Sequence, residues 1–307
     1  MGIIRKIIET IQAPQNILQL IKLHVARCIH SDRMCVEALY KIYTKEKLNL
    51  NNPQTFTEKT QWLKVYDHNP LYHKLVDKAE VKEYVKKIIG EKYIIPTYGV
   101  WDSFNDIDFN SLPQKFVLKT TNGGGSTGVV ICKDKSSFNK NVAKQLLEKS
   151  MSYDIYRKMG EWVYKDIRPR IIAEELLELP DNSSLNDYKF WCFNGEPKIL
   201  FYASERFNST KQPPFFDFYD MELKRLPVRS KGHHNSTTEI TIFPEFEDMK
   251  KLASKLSSGL PFVRVDFYDV CGKIYFGELT FYHDSGFVPF EPEEWNIKFG
   301  KMLNLPK

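Results

Sequence analysis

Ile and Leu recur at three- and four-residue spacing from the N-terminus to Lys45, a helical period that predicts two or three helices over residues 1–50. Asn49-Leu50-Asn51-Asn52-Pro53 breaks the pattern and Thr57-Glu58-Lys59-Thr60-Gln61-Trp62-Leu63 restarts it. A further helix is expected from Tyr72 to Ile89, stopped by Gly90, followed by short strands or extended segments at Tyr93-Ile94-Ile95-Pro96 and Gly99-Val100-Trp101. From Lys115 the period becomes that of sheet. Phe116-Val117-Leu118-Lys119 reads as a strand, Thr120 to Gly128 as a glycine-rich loop, and Val129-Val130-Ile131-Cys132 as a second strand. Ser137 to Met159 is mostly helical in pattern, and Arg170 to Leu177 is an apolar strand carrying Glu174-Glu175. Asp187 to Phe193, Lys198 to Tyr202 and Phe215 to Phe218 predict an antiparallel meander turning at Asn194-Gly195, and Gly232 to Thr238 a polar, solvated loop. A helix from Pro244 to Leu256 precedes two alternating segments, Val263 to Tyr268 and Tyr275 to Thr280. Val270-Cys271-Gly272-Lys273 joins them as a hairpin turn, and a short helix follows. Clusters of strands and helices without internal repeats give an α+β (or α/β) class with at least two lobes.

Composition narrows the function classes. The 307 residues carry a net charge of +5 with lysines scattered along the chain, which argues against nucleic acid as a partner. Five cysteines, odd in number and without a Cys-x-x-Cys, fit neither a disulfide framework nor a zinc site. Charged residues interrupt Met1 to His30, so neither a signal peptide nor a membrane span is expected there, and the expected location is the cytoplasm. That stretch remains open to an amphipathic contact with a membrane or partner.

Candidate chemistry concentrates in the last hairpin. Residues two apart on a strand share a face, so Arg264 and Asp266 point one way, as do Glu278 and Thr280 on the partner strand. If those faces coincide, two carboxylates and a guanidinium meet in a volume suited to Mg²⁺. The alternative is a solvated face with a cross-strand ion pair. Asn122-Gly123-Gly124-Gly125-Ser126-Thr127-Gly128 contains a Gly-x-Gly-x-x-Gly followed by a strand rather than a helix, which excludes a dinucleotide fingerprint; a Walker loop is excluded because no Lys-Ser/Thr follows. What remains is a hairpin flap over phosphates with Lys119 at its base, or a flexible tip without a ligand. Protein kinases and ATP-grasp enzymes both carry such a flap, but the sequence lacks the kinase catalytic loop and Asp-Phe-Gly.

With these residues assembled, the sequence resembles the ATP-grasp superfamily and, within it, the TupA-like branch found in capsule and teichuronopeptide biosynthesis. The likeness runs from about Leu50 to Trp295. It rests on Asn52-Pro53-Gln54-Thr55-Phe56-Thr57-Glu58-Lys59, Asp77-Lys78, Phe116 to Lys119 with the glycine loop, Asp187-Tyr188-Lys189-Phe190, Phe262 to Tyr268 and Phe276 to Gly286. The resemblance implies an ATP-grasp fold, two α+β lobes with the nucleotide between them. Residues 1–50 would be an N-terminal helical region and 51–110 a helical and extended lead-in. Residues 111–177 would be the lobe with the lid, and 178–307 the lobe with the metal hairpin.

It further implies that Lys78, Lys119 and Lys189 contact ATP and that Gly123, Gly124, Gly125, Ser126, Thr127 and Gly128 close over it. Glu174, Glu175 and Leu177 would form the hinge against adenine and ribose. Asp266 and Glu278 would hold Mg²⁺, with Thr280 where relatives carry Asn, and Arg264 and Lys119 would act on the transferring phosphoryl group. Arg206, Arg229, His283, Ser285 and Gly286 are candidates for substrate contact; for the two arginines a surface ion pair is the better reading, and His283 reads equally as a structural hydrogen-bonding residue or a catalytic base. The implied activity is an ADP-forming carboxylate–amine ligase acting on a uronic acid or amino acid, with peripheral association to polysaccharide assembly machinery. The competing class is a glycosyltransferase using a nucleotide sugar, for which Asp106-Ile107-Asp108 offers the one Asp-x-Asp.

Overall fold

Helices come first and two antiparallel sheets follow in the computed structural model, which describes residues 14–124, 128–181, 183–205, 213–240 and 243–307. The helices are α1 (Pro14–Arg27), α2 (Asp32–Thr44), α3 (Phe56–Tyr66), α4 (Leu71–Val76), α5 (Val81–Ile88), α6 (Lys140–Met151), α7 (Ile155–Met159), α8 (Phe246–Ser257) and α9 (Glu294–Met302). The strands are β1 (Thr97–Trp101), β2 (Phe116–Thr120), β3 (Val129–Cys132), β4 (Ile171–Glu174), β5 (Asp187–Phe193), β6 (Glu196–Ser204), β7 (Phe215–Tyr219), β8 (Arg229–Ser230), β9 (Phe262–Val270), β10 (Lys273–Thr280) and β11 (Phe290–Glu291). The smaller sheet has the order β1-β4-β2-β3 and the larger β10-β9-β5-β6-β7, while β8 and β11 form a short ladder.

The larger sheet carries the main core. Its inner strands β5 and β9 are buried along most of their length, which accounts for the runs Phe190-Trp191-Cys192-Phe193 and Phe262-Val263. Phe56 of α3 stacks on Trp191 at 5.0 Å, and α8 contributes Met249, Ala253 and Leu256 to the same core. Phe104, Phe109, Phe116, Leu118, Leu147, Ile171 and Ala173 fill the smaller lobe. Helices α1 and α2 pack on Leu48, Leu50, Val65 and Phe287 as a third cluster. The expected meander is β5-β6-β7, and its Asn194-Gly195 turn, like Cys271-Gly272, has two successive positive φ angles, the primed geometry that matches strand twist.

The Asn52 to Lys59 segment works as a fastener. Thr55 caps α3 with Glu58 completing a capping box, and Lys59 Nζ donates to the carbonyls of Gly300 and Leu303 at 2.8 and 2.7 Å, locking α9 in place.

Three expectations change. The helix expected from Tyr72 to Ile89 is broken into α4 and α5, because Asp77 is extended and its carboxylate accepts from the N–H groups of Ala79 and Glu80. Tyr93 to Pro96 is no continuous strand, although Ile94 is extended and forms a single bridge to Phe276. A 3-10 turn occupies Glu91 to Tyr93, and β1 starts only at Thr97. In the polar loop His234 is exposed as expected, but His233 is half-buried, its ring packed edge-on against Phe216 at 4.6 Å.

Candidate functional site

The faces of the last hairpin coincide because of one extra residue. From the Cys271-Gly272 turn outward, Phe276 pairs with Phe267. In that register Glu278 would lie opposite Val265 and point into the core. A bulge between Phe276 and Glu278 shifts the pairing, so Glu278 lies opposite Asp266 and Thr280 opposite Arg264. Gly277 occupies the bulge, where a Cβ would stand 3.2 Å from the Asp266 carbonyl and 3.1 Å from the Tyr268 ring. Across β9, Lys189 of β5 pairs with Asp266, which completes a row of three ionised side chains on one face.

These charges match one another. Arg264 grips Asp266 with two hydrogen bonds of 2.7 and 2.8 Å and reaches Glu278 at 2.9 Å. Lys189 donates to Asp266 at 2.5 Å and to Asp187 at 2.9 Å, and Lys78 Nζ lies 3.7 Å from Glu278. Burial alone would raise the Glu278 carboxyl, but Lys78, Arg264 and Lys189 outweigh it and hold the group down at about 2. Thr280 donates its hydroxyl to Glu278 at 3.2 Å.

The row forms one wall of a cleft of about 710 Å³ between the two sheets. Lys119 of β2 and Lys78 reach it from the opposite side. The break at Asp77 delivers Lys78, whose N–H donates to the Thr121 carbonyl at 3.0 Å and whose ammonium donates to the Gly123 carbonyl. Gly123 and Gly124 line the cleft. Gly128 anchors the far end of the loop, its carbonyl accepting from Thr120 N at 3.1 Å, while Gly125, Ser126 and Thr127 lie outside the described residues. Beyond β4 the chain runs without regular secondary structure through Glu175 to Leu179 along the cleft, with Glu175 N bound to the Pro96 carbonyl at 3.0 Å. Ile95, Val117, Val129, Ile131 and Leu177 make this end apolar.

Several expected residues stand elsewhere. Glu174 is buried behind the wall, paired with Lys119 at 2.6 Å and Lys82 at 2.5 Å, so it orders the lysines and does not line the cleft. Gly286 is gripped from α3. Gln61 Nε2 donates to the carbonyls of Ser285 and Gly286 at 3.0 and 2.9 Å, and no side chain fits at Gly286. Arg229 makes a surface ion pair with Glu291 at 2.7 Å away from the cleft, and Arg206 lies outside the described residues. His283 lines the cleft but is buried. Its Nδ1 accepts from Arg264 at 3.1 Å, and desolvation lowers its pKa, so its lone pair is committed to holding the guanidinium. Asp106 and Asp108 sit in and after an outlying 3-10 turn, with Asp108 accepting from Asn110 N at 2.9 Å, far from any role in the cleft.

Other cleft residues carried weaker signals. Asp187 shares a strand face with Lys189 and follows from the same two-residue rule. Lys82, four residues after Lys78, stands behind the cleft wall with Glu174, whereas Glu161, which lines the cleft after α7, has no pattern that marks it.

For a divalent ion the donors are oxygens alone, the two facing carboxylates of Asp266 and Glu278. Among the described residues no group of three or more His, Cys, Asp or Glu is arranged to hold a metal ion by itself. Such a pair fits Mg²⁺, which completes its shell with phosphate and water oxygens.

A family model described as TupA-like ATPgrasp matches residues 58–304, a span that contains both sheets and the cleft. No curated protein matches the sequence. Among solved structures, D-alanine–D-alanine ligase from Bacillus anthracis complexed with ATP is 14% identical, with 67% of this chain and 53% of that chain covered and a TM-score of 0.38. The Helicobacter pylori D-alanine–D-alanine ligase is 16% identical over 76% of this chain and 60% of its own, with a TM-score of 0.43. D-cycloserine synthetase DcsG is also 16% identical, over 76% and 70%, with a TM-score of 0.42. The chain thus spans between 53% and 60% of the length of the two D-alanine ligases. These likenesses are weak in identity and in superposition, and the assignment rests on the family model: the chain belongs to the TupA-like ATP-grasp family.

Proposed function

We propose that the protein is an ATP-dependent carboxylate–amine ligase that forms an amide on a uronic acid or amino acid in surface-polysaccharide assembly. The observation that carries this reading is the cleft itself. A rigid row of Lys189, Asp266 and Glu278 with Arg264 faces Lys78, Lys119 and a glycine loop. Lys78 and Lys119 suit the α- and β-phosphates, and the Glu175 to Leu179 segment offers backbone groups to adenine. Asp266 and Glu278 would hold Mg²⁺, which when bound offsets phosphate charge.

Asp187, Asp266 and Glu278 carry three negative charges against the three positive charges of Lys189, Arg264 and Lys78. That balance keeps the cluster assembled before substrate arrives. On binding, Lys78 is the cation best placed to leave Glu278 for phosphate, since its 3.7 Å contact is the longest of the set. The substrate carboxylate would attack the γ-phosphorus, giving an acyl phosphate and ADP, and an amine would then displace phosphate. Arg264 points at the charge that develops in both steps. Exclusion of water by the loop protects the acyl phosphate. The polysaccharide setting is supported by family kinship alone, and with it a cytoplasmic site and peripheral contact with assembly machinery. The glycosyltransferase alternative loses its motif, because Asp106 and Asp108 lie outside the cleft.

Thermal unfolding with ATP plus Mg²⁺, against UDP- and CMP-sugars, tests the reading. A ligand at ~100 times its dissociation constant adds ~2.7 kcal/mol. The expected result is stabilisation by Mg·ATP alone, lost in Glu278→Gln; stabilisation by a nucleotide sugar instead overturns it. A panel of glucuronate, galacturonate, D-alanine and L-glutamate with ATP and hydroxylamine then identifies the acid as its hydroxamate.

A further inference from the structure

At the end of the cleft away from the apolar hinge, one buried carboxylate has no lysine or arginine within ion-pair distance among the described residues. Glu161 is 8% exposed and lines the cleft between α7 and the Tyr282 to Ser285 loop. Asp187, Asp266 and Glu278 each have a lysine or arginine within ion-pair distance; Glu161 has none among the described residues. The one hydrogen bond made to it there comes from Ser285 Oγ, a neutral hydroxyl, to Oε1 at 2.5 Å.

Its position is fixed from behind. Lys64 of α3, fully buried, donates to the Met159 carbonyl at 2.9 Å and the Ser285 carbonyl at 2.6 Å, tying together the two segments that flank Glu161. Gly160 ends α7 in the left-handed region at φ 68°, and a Cβ there would stand 2.8 Å from Val36. The segment that carries Glu161 is therefore held on both sides while the residue lines the cleft. Around it stand Tyr153, Met159, Tyr164 and Tyr282, a largely aromatic wall. Tyr164 lies within electrostatic reach of Glu161, Glu278 and Arg264 alike, which places Glu161 next to the phosphoryl-transfer end of the site.

We propose that Glu161 is the subsite for the acceptor's amino group, binding a primary ammonium against the aromatic wall and removing the proton that would keep the nitrogen from attacking. The inference rests on the ligase reading above. In the step it serves, R–NH₃⁺ gives one proton to the Glu161 carboxylate and becomes R–NH₂. The nitrogen lone pair forms the C–N bond at the acyl phosphate carbon, the C–O bond to phosphate breaks, and phosphate leaves with that electron pair. The nitrogen's second proton passes to phosphate or solvent. Burial lifts the Glu161 carboxyl above its ordinary value against the pull of the Lys64 charge and the Ser285 hydroxyl, which strengthens it as a base. A buried carboxylate without an ion pair is costly unless a cation completes it, and a substrate ammonium is the cation this geometry admits.

The test compares two nitrogen probes with whichever acid of the panel above forms a hydroxamate. Ammonium is charged at neutral pH and needs a base; hydroxylamine is uncharged and does not. Wild type should convert both. In Glu161→Gln, which keeps the Ser285 hydrogen bond, the ratio of amide formed from ammonium to hydroxamate should fall about 100-fold or more, the usual contribution of a positioned base. Glu161→Asp should show a smaller fall. An unchanged ratio in both variants overturns the proposal, as does a wild type that makes hydroxamate but no amide from ammonium. If Glu161→Gln loses its stabilisation by Mg·ATP, the Asp variant's ratio decides. A wild type that makes no hydroxamate from any acid sinks the ligase reading itself, a result distinct from a change in ratio.

Discussion

The two hairpins that face each other across the cleft are built on opposite plans. In β9–β10 a two-residue primed turn, a bulge at Gly277 and pairing to β5 fix five ionised side chains against one another, four of them almost wholly buried. In β2–β3 the strands are short, β3 is a half-exposed edge, and the connecting loop offers backbone groups with Lys119 as the one charge. On the proposed reading this charge meets a metal and a phosphoryl group, which calls for a position set by strand register, where a slip of one residue turns a side chain to the other face. A flap that closes on phosphates needs only the absence of side chains and one firm anchor at each end. The contrast predicts where substitutions cost stability and where they do not.

The largest difference should come from Asp266→Asn against Lys119→Met. Asn at 266 leaves Arg264 and Lys189, both buried, without their shared counter-charge, and breaking such a pair costs about 3–5 kcal/mol. Lys119 is also ion-paired, but its partner Glu174 keeps Lys82 at 2.5 Å, so its removal should cost about 1 kcal/mol. Urea unfolding of the two variants without ligand measures both. Equal losses would erase the distinction between the hairpins. The same reasoning makes Asp266→Asn a poor probe of metal binding and Glu278→Gln, a quarter exposed and at the rim, the better one.

Glu278 sharpens the comparison through pH. Its carboxyl is held at about 2 in the folded chain against an ordinary 4.5, so the unfolded state binds the proton more readily. A depressed carboxylate contributes stability that is complete above pH 4.5 and is lost as pH falls through about 2. At 1.36 kcal/mol per pKa unit, discounted for partial exposure, the contribution is about 2 kcal/mol. Glu174 is also depressed by its lysines, so wild type loses stability in acid from both lobes. The decisive quantity is the difference between wild type and Glu278→Gln, which should shrink across that window. A constant difference would mean that the ion pairs do not hold the carboxylate.

Much of this was readable before the structure. The two-residue period of strands put Arg264 with Asp266 and Glu278 with Thr280, and the glycine loop was defined by the strand after it. What the sequence did not carry was register. Nothing short of the pairing itself shows that Gly277 is a bulge, although the coincidence of faces depends on it. The break at Asp77 was hidden because Lys78 to Ile89 keeps a helical pattern, and only the Asx-type hydrogen bonds of Asp77 reveal the interruption. The resemblance assigned Glu174 to the hinge together with Glu175, and of the two only Glu175 lines the cleft. Adjacent strand residues face opposite ways, and the one facing in was already claimed by two lysines. Glu161 follows a helix end beside a tryptophan, a setting that carries no pattern; its significance comes from burial and from the missing cation.

Within the flap itself the smallest effects should separate anchor from span. Gly128 has φ +74°, and a Cβ there would lie 2.2 Å from Ser150 Oγ and 2.8 Å from Thr120 Oγ1, two hydroxyls that are bonded to each other at 2.8 Å. Gly128→Ala therefore carries left-handed strain and disrupts a buried hydrogen bond, for about 2 kcal/mol in all. Gly124 has nothing within 4 Å of the position a Cβ would take, and Gly124→Ala should change the unfolding free energy by less than about 0.5 kcal/mol. Thermal melts of the two ligand-free variants decide the point. If Gly124→Ala were the more destabilising, the loop would be packed along its span and would resemble the rigid hairpin opposite. If the order holds, the chain is packed at Gly128 and unpacked at Gly124, the asymmetry expected of the proposed cover over phosphate.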